Sequence, residues 1–446
     1  MLTSSVGFSL FIMILAVLVL VYTAMKGIPM WLGAVAATII IGICTSEGPL
    51  GILLGTFSQG MAGMMTNLGI VYLMGMIFAD ALTKSGCGDK IGSFLMDKLS
   101  VKAAPFCIMI PTLLLAFGGI GSYPFIMAPI AFAVLKKANL PRAVGTVILC
   151  GSYSLVGFLI PGTTLSTNVL ASNLFGTSLF AGADVGIIMF VVGLVLNILY
   201  YIYLCNDYRK KGMGYEPTEL ETQSSLRDSS DSPNFIIAVI PLLLAFIGSF
   251  IFQLVLNFSS NMTAVCAQGL AVIFIYITNW RRMVGDSDKK ILTVLNQLAN
   301  SMKGAFAPLM IACFVMGFSM ALGNTAIYQS IADILTNLNG NPYIITVIAI
   351  MILACITAAP TTAVTAFAPG IGATLIANGA DAGLIHRLAL AAGTTFDSMP
   401  WSVTIILNMQ VMGVSFKDAY KKVIVVQIVI TTIYTLVGLA YVLLFH

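Results

Sequence analysis

Apolar runs as long as the ~20-residue helix that crosses a bilayer recur along the whole chain. They predict ordinary spans at 7–24, 29–45, 62–83, 183–205, 235–256, 262–280, 303–322 and 422–445. The weak polar–apolar alternation of an outer-membrane barrel is absent, so the expected fold is all-α. Four further stretches depart from the pattern. Residues 103–120 and 124–136 are two short apolar arms around GGIGSYP, and 344–358 and 364–377 are two arms around AAPTTAV. Each arm is shorter than a span and each pair meets at Gly, Pro and hydroxyl residues, which predicts re-entrant hairpins at 103–136 and 344–377. The segments 143–175 and 384–413 are too long for one simple span and are interrupted by IPGTT and FDSMP; they predict broken helices.

Composition agrees with a multi-pass membrane protein: 59% of the 446 residues are hydrophobic and 9% charged, against roughly 25% charged in soluble domains. The first segment, VGFSLFIMILAVLVLVYTAM, lacks a basic stretch before it and exceeds the roughly 7–15-residue core of a secretory signal, so it reads as a span. The eight cysteines show no CxxC pairing and lie mostly inside apolar runs, which suits small buried thiols rather than metal ligands. The net charge of +4 calls for no nucleic-acid partner, because the cations sit at segment ends.

Their placement sets a topology. Lys26, the group Lys84, Lys90, Lys98 and Lys102, then Lys136, Lys137 and Arg142, Arg209 to Lys211, Arg281, Arg282, Lys289 and Lys290, and Lys417, Lys421 and Lys422 are all expected on the cytoplasmic side. The connections near 46–58, 176–182, 257–261, 323–343 and 378–383 contain no Lys or Arg. That separation holds only if 103–136 enters and leaves from the cytoplasm and 344–377 from outside. Ten spans, two hairpins and external termini follow. Residues 206–234 are polar and read as a cytoplasmic linker, and 283–300 as a helix lying on the inner surface.

The halves match at a shift of roughly 230–245 residues. MAPIAFAVLKKANL resembles AFAPGIGATLIANGA, with Pro129 opposite Pro369, and GSYSLVGFLIPGTT stands opposite GTTFDSMPWSV, with Gly151 opposite Gly393. Five spans per half is an odd number, so residues 235–446 enter the membrane with the opposite orientation to residues 1–205. This is the inverted repeat of many secondary transporters, with one hairpin and one broken helix per repeat.

A broken helix in a bilayer leaves backbone groups unsatisfied, which is tolerated where they line a cavity or meet a ligand. Its inner half begins with free N–H groups and partial positive charge, suited to a carboxylate. The first such N-terminus is expected at Gly162, Thr163 and Thr164, followed by Ser166 and Asn168, and the second at Trp401 and Ser402, followed by Thr404. The hairpin tips add Gly119, Gly121 and Ser122 on one side and Thr361, Thr362 and Thr365 on the other. The bland reading of any one hydroxyl is back-bonding within its own helix; the repeat makes the joint reading, four polar breaks converging near the midplane, the better one. Asp397 is a stronger signal, since an acidic residue at a span centre costs about 3 kcal/mol on insertion scales. It is a candidate proton or cation carrier, the alternative being a helix cap beside Ser398 and Pro400. Asp80 is expected to pair with Lys84 at i+4. His386 and Arg387 are expected at the outer interface, where Arg387, the one cation of that side, draws anions inward. Trp401 either shapes the pocket or packs.

MGMIFADALTKSGCGDKIGSFLM and TTFDSMPWSVTIILNMQVMGVSFKDAYK resemble the gluconate:proton symporter (gluconate permease) family, within a larger group of ion transporters, and the resemblance covers nearly the whole chain in segment order. It implies proton-coupled uptake of an organic carboxylate across a bacterial inner membrane by a homodimer with a mobile, elevator-type transport domain in each subunit. Asp397, Ser398 and Pro400 carry over from the family's second break, and Pro161 and Gly162 from its first. The chain departs from that pattern at Trp401, Ser402 and Val403, where the family commonly has His, then Ser or Asn, then Gly, and at Thr163 and Thr164, which replace prolines. Losing the His acceptor suggests a smaller or less polar substrate than a sugar acid, such as a short hydroxy or keto acid. Sodium coupling is the alternative, and an anion channel is disfavoured because no rings of like charge are present. Two histidines and no acidic cluster at metal-ligand spacing argue against a membrane enzyme, and no cofactor is expected.

Overall fold

The computed structural model describes residues 6–217, 233–285, 289–325, 328, 330–331, 334–335 and 340–446. Among the described residues every regular element is helical: α1 Val6–Met25, α2 Met30–Gly42, α3 Gly48–Lys84, α4 Cys87–Lys98, α5 Ala104–Phe117, α6 Tyr123–Ala138, α7 Arg142–Leu159, α8 Ser166–Phe175 and α9 Ala183–Lys210. There follow α10 Phe235–Val255, α11 Ser260–Thr278, a single turn at Trp280–Val284, α12 Lys290–Gly323, α13 Pro342–Thr357, α14 Pro360–Ala377, α15 Ala382–Phe396, α16 Val403–Val411 and α17 Phe416–Phe445. Nine of these helices are long and apolar enough to cross a membrane, namely α1, α3, α7, α9, α10, α11, α12, α14 and α17. The protein is an all-α polytopic membrane protein.

Both interrupted segments are helix–break–helix: α7 and α8 are separated by 160–165, and α15 and α16 by 397–402. Both helix pairs expected at the hairpins are present. α5 packs on α6 across 118–122, and α13 packs on α14 across a two-residue corner in which Ala358 takes a left-handed φ of 48°. The second pair is less short-armed than its sequence suggests. α14 begins at Pro360 and runs 18 residues, through a wider turn at Ala368–Gly372 beside Pro369, and so has the length of a crossing.

Three stretches differ from expectation. α3 starts at Gly48 rather than near residue 62, with a wider turn at Leu53–Phe57, so most of the connection placed at 46–58 is helical. Gly51, Gly55, Gly60 and Gly63 had diluted the apolar signal there. Of the surface helix placed at 283–300, residues 290–300 are instead the first part of α12, whose 34 residues form one helix of about 50 Å, and residues 286–288 lie outside the described residues. Nothing between Lys290 and Lys303 is a helix breaker, and Ser301 anchors that part of the helix by donating to Asp80 (2.6 Å). α9 continues to Lys210, into the first residues assigned to the linker; residues 218–232 of that linker lie outside the described residues. Asp80 pairs with Lys84 at 2.6 Å, as the i+4 spacing implies.

α3 and α12 lie along one another, and their backbones nearly touch where Gly60 faces Gly317: a Cβ on Gly60 would sit 2.8 Å from the Gly317 Cα. Around the breaks, α5 packs on α7, α13 on α15, α8 against α14 and α9 against α17. The apolar window of α7 is 89% buried while those of α1, α9 and α10 are 33% buried, so the first broken helix lies inside the bundle and the others present a face to lipid.

Candidate functional site

The first break begins where Pro161 stops α7. Proline has no N–H and pushes the residue before it out of the helical region; Ile160 is accordingly extended, with ψ of 127°. Gly162 then takes a φ of 82° and donates its N–H to Leu179 O (3.0 Å). The carbonyl of Phe117, at the end of α5, accepts from the Thr163 and Thr164 hydroxyls (both 3.3 Å) and from the Thr164 N–H (3.2 Å). The tip of the first helix pair is thereby stitched to the first break.

Gly119 lies at that seam. Its φ is 71°, and a Cβ there would stand 2.6 Å from Thr164 O. Gly119→Ala is expected to cost about 2–5 kcal/mol, the sum of a left-handed alanine and an overpacked contact. The check is the melting temperature of the purified protein in detergent; an unchanged value would contradict the seam.

On the far side of the first break, Asn168 donates to Thr163 O (2.8 Å) and its Oδ1 lies 3.0 Å from His386 Nε2. His386 Nδ1 in turn meets Thr177 Oγ1 at 2.6 Å. Arg387 corrects the sequence expectation outright. It is fully buried, not at an outer vestibule, and its guanidinium donates to three carbonyls: Phe158 O (3.1 Å), Leu179 O (3.1 Å) and Ala181 O (3.0 Å). The freed carbonyl end of α7 is thus capped by a cation from α15, a favourable pairing with the helix dipole. His386 is buried beside it and not interfacial.

At the second break α15 ends at Phe396 and the chain turns through Asp397, Ser398, Met399, Pro400, Trp401 and Ser402 before α16. Ser398 Oγ donates to Asp397 Oδ1 (2.7 Å), Tyr420 OH donates to Ser398 O (3.1 Å), and Ser402 N–H donates to Met399 O (2.8 Å). Trp401 resolves towards packing: its Nε1–H donates to Ile356 O (3.3 Å) and its ring meets Phe318 edge-on.

A cavity of about 150 Å³ lies where these pieces meet. The first pair contributes Gly119, Gly121 and Tyr123, the first break Leu165, Ser166 and Thr167, the second pair Pro360 and Thr361, and the second break Asp397 and Thr404. α7 adds Tyr153, Ser154 and Phe158, α3 adds Tyr72, and α11 adds Asn261. Thr167 and Thr361 hydroxyls meet at 3.0 Å across the two halves. The cavity therefore holds one buried carboxylate, a half-helix N-terminus and several hydroxyls.

Of the sequence candidates, Gly119, Gly121, Ser166, Thr361, Asp397 and Thr404 line this cavity. Ser122 stands behind it, donating to Gln268 Oε1 (3.0 Å). Gly162, Thr163, Thr164 and Asn168 close the first break, and Ser398, Trp401 and Ser402 are buried around the second without lining the cavity. Thr362 and Thr365 are exposed, and the Thr365 hydroxyl returns to Thr361 O (2.8 Å). Tyr72, Tyr123, Tyr153, Ser154, Thr167 and Asn261 were not singled out from sequence. The signal for the tyrosines was their polar tip within otherwise apolar helices. Among the described residues no group of three His, Cys, Asp or Glu is placed to hold a metal ion.

Interrupted membrane helices around a partly open cavity define a polytopic membrane protein. The chain belongs to the GntP permease family: the model described as "GntP family permease" matches residues 7–446. It is similar to the uncharacterized transporter YxjC of Bacillus subtilis (strain 168), at 24% identity over 247 residues, 53% of this chain and 52% of the relative. The match thus spans about half the length of that curated relative. Among solved structures, the YdaH transporter of Alcanivorax borkumensis aligns over 96% of this chain and 97% of its own, with 14% identity and a TM-score of 0.44.

Proposed function

We propose that this chain is a secondary active transporter that carries a small organic carboxylate together with a proton across a bacterial inner membrane. The observation that carries the reading is the meeting of Asp397 with the opening of α8 and both inter-helix tips around one partly open cavity. The N-terminus of α8, opening at Ser166 and Thr167, supplies unpaired N–H groups and partial positive charge for the anion. Asp397, the one carboxylate among the lining residues, carries the proton. Membership of a permease family supports transport as the activity.

Size favours the smaller substrates. A cavity of about 150 Å³ is the volume that in an apolar core takes up a molecule like benzene. A short hydroxy or keto acid matches that volume, and a gluconate-like sugar acid is the larger alternative. Sodium coupling would use the same carboxylate with neighbouring hydroxyls; the absence of a second acidic side chain in the lining favours the proton. In this reading residues 1–205 and 235–446 are inverted repeats. The two helix pairs are re-entrant hairpins that move with the broken helices past the remaining spans, and the working unit is a homodimer in the lipid bilayer.

The test is a thermal-shift screen of purified protein against pyruvate, lactate, glycerate and gluconate. A ligand at a hundred times its Kd is expected to add about 2.7 kcal/mol of stability, so at least one short acid should raise the melting temperature by several degrees. A screen in which no carboxylate shifts the transition would contradict the assignment.

A further inference from the structure

The phenol of Tyr123 is held in an unusual way. The residue opens α6, is 1% exposed, and lines the cavity. Its ring is stacked on that of Tyr153, with centroids 4.3 Å apart and planes 12° from parallel, so the hydroxyl is fixed in direction. Asn408, on α16, donates from Nδ2 to the Tyr123 oxygen at 2.8 Å. The same Nδ2 donates to the backbone carbonyl of Thr404 at 2.9 Å. A carbonyl has no proton to give, so that second bond fixes which end of the amide faces this way. Nitrogen faces Tyr123, and the phenol oxygen there is the acceptor.

The consequence concerns the phenol's own proton. A tyrosine hydroxyl that accepts from an amide still has one O–H to donate, and Asn408 Oδ1 is on the other branch of the amide, buried and without a hydrogen-bond partner among the described residues. The Tyr123 proton is therefore not taken up by Asn408, and Tyr123 is among the residues that line the cavity. We propose that Tyr123 donates a hydrogen bond to the carboxylate of the transported anion, and that Asn408 is the positioning residue that turns the phenol proton towards it. The inference deepens the functional reading above and rests on it. It also narrows the substrate class: with a donor at Tyr123 and Asp397 elsewhere in the lining, a short acid bearing a second oxygen on the neighbouring carbon engages both.

The experiment compares binding of lactate with binding of its neutral analogue lactamide, by calorimetric titration of the purified protein. Tyr123→Phe keeps the stacked ring and deletes only the hydroxyl. It is expected to weaken lactate at least tenfold, the effect of removing a hydrogen bond to a charged group, and to change lactamide by less than threefold. Asn408→Asp offers the phenol an acceptor in place of a donor and draws its proton away from the cavity. It is expected to cause a comparable loss for lactate with Tyr123 still present. Lactate bound by Tyr123→Phe as tightly as by the natural chain would overturn the proposal, as would equal weakening of the acid and the amide, or a Phe variant that fails to fold, either of which would mark the hydroxyl as structural. If the natural chain binds another acid of the screen instead, the titration uses that acid and its amide with the same expected outcomes; if it binds none of them, the functional reading itself has failed, before Tyr123 is reached.

Discussion

Asp397→Asn is expected to reduce carboxylate accumulation driven by an imposed pH gradient to the level of protein-free liposomes, while exchange of internal for external substrate continues. The amide has nearly the shape of the carboxyl group and can keep the bond to Ser398 Oγ, which lies 2.7 Å from Asp397 Oδ1. What it cannot do is bind and release a proton. Because Asp397 is the one carboxylate lining the cavity, no neighbour there replaces it. The readout is labelled substrate retained in proteoliposomes after a pH jump, with a sodium gradient as the parallel arm. Undiminished pH-driven uptake would remove Asp397 from the coupling step, and uptake that followed only the sodium gradient would reassign the coupling ion.

Arg387→Met is expected to prevent the protein from folding to a monodisperse species. The substitution removes the guanidinium donor from the buried carbonyl of Phe158 and the partly buried one of Ala181, while Leu179 O keeps the Gly162 N–H. The two unmet groups cost about 1–3 kcal/mol each, together a large fraction of the roughly 5–15 kcal/mol that holds a typical protein together. Arg387→Lys is expected to recover only part of this, because an ammonium group lacks the planar fork that reaches three separate acceptors. Size-exclusion profiles and melting temperatures in detergent decide the matter. Had Arg387 been the surface lure suggested by its sequence position, both variants would fold normally and lose only salt-sensitive uptake rate.

That contrast shows what sequence can and cannot reveal in such a protein. The breaks at 160–165 and 397–402 were legible because Pro161 with Gly162, and Pro400 with Asp397 and Ser398, gather helix-breaking and polar residues inside apolar segments, whereas the lone Pro111, Pro129, Pro241 and Pro308 lie within helices. Asp397 was legible because an acid within an apolar segment has few structural excuses. Arg387 was misplaced because its partners are backbone carbonyls more than two hundred residues earlier in the chain, which leave no mark on residue identity. Hydroxyls were ambiguous for a related reason: Thr163 and Thr164, which serve the Phe117 carbonyl, look the same in sequence as Ser166 and Thr361, which face the cavity. Tyr123 and Tyr153 read as packing because an aromatic ring in an apolar helix usually is packing, and only three-dimensional placement brings them into one cavity lining with Asp397. The extended α12 was missed because its lysine-flanked first turns resemble a surface segment.

Counterflow is the most direct test of a single site that faces the two sides of the membrane in turn. Proteoliposomes loaded with unlabelled lactate or pyruvate, diluted into a trace of the labelled acid with no ion gradient, are expected to take up label transiently above its equilibrium level. Vesicles in which preloading gives no such overshoot, for any short carboxylate that binds the purified protein, would contradict an alternating carrier built on this cavity.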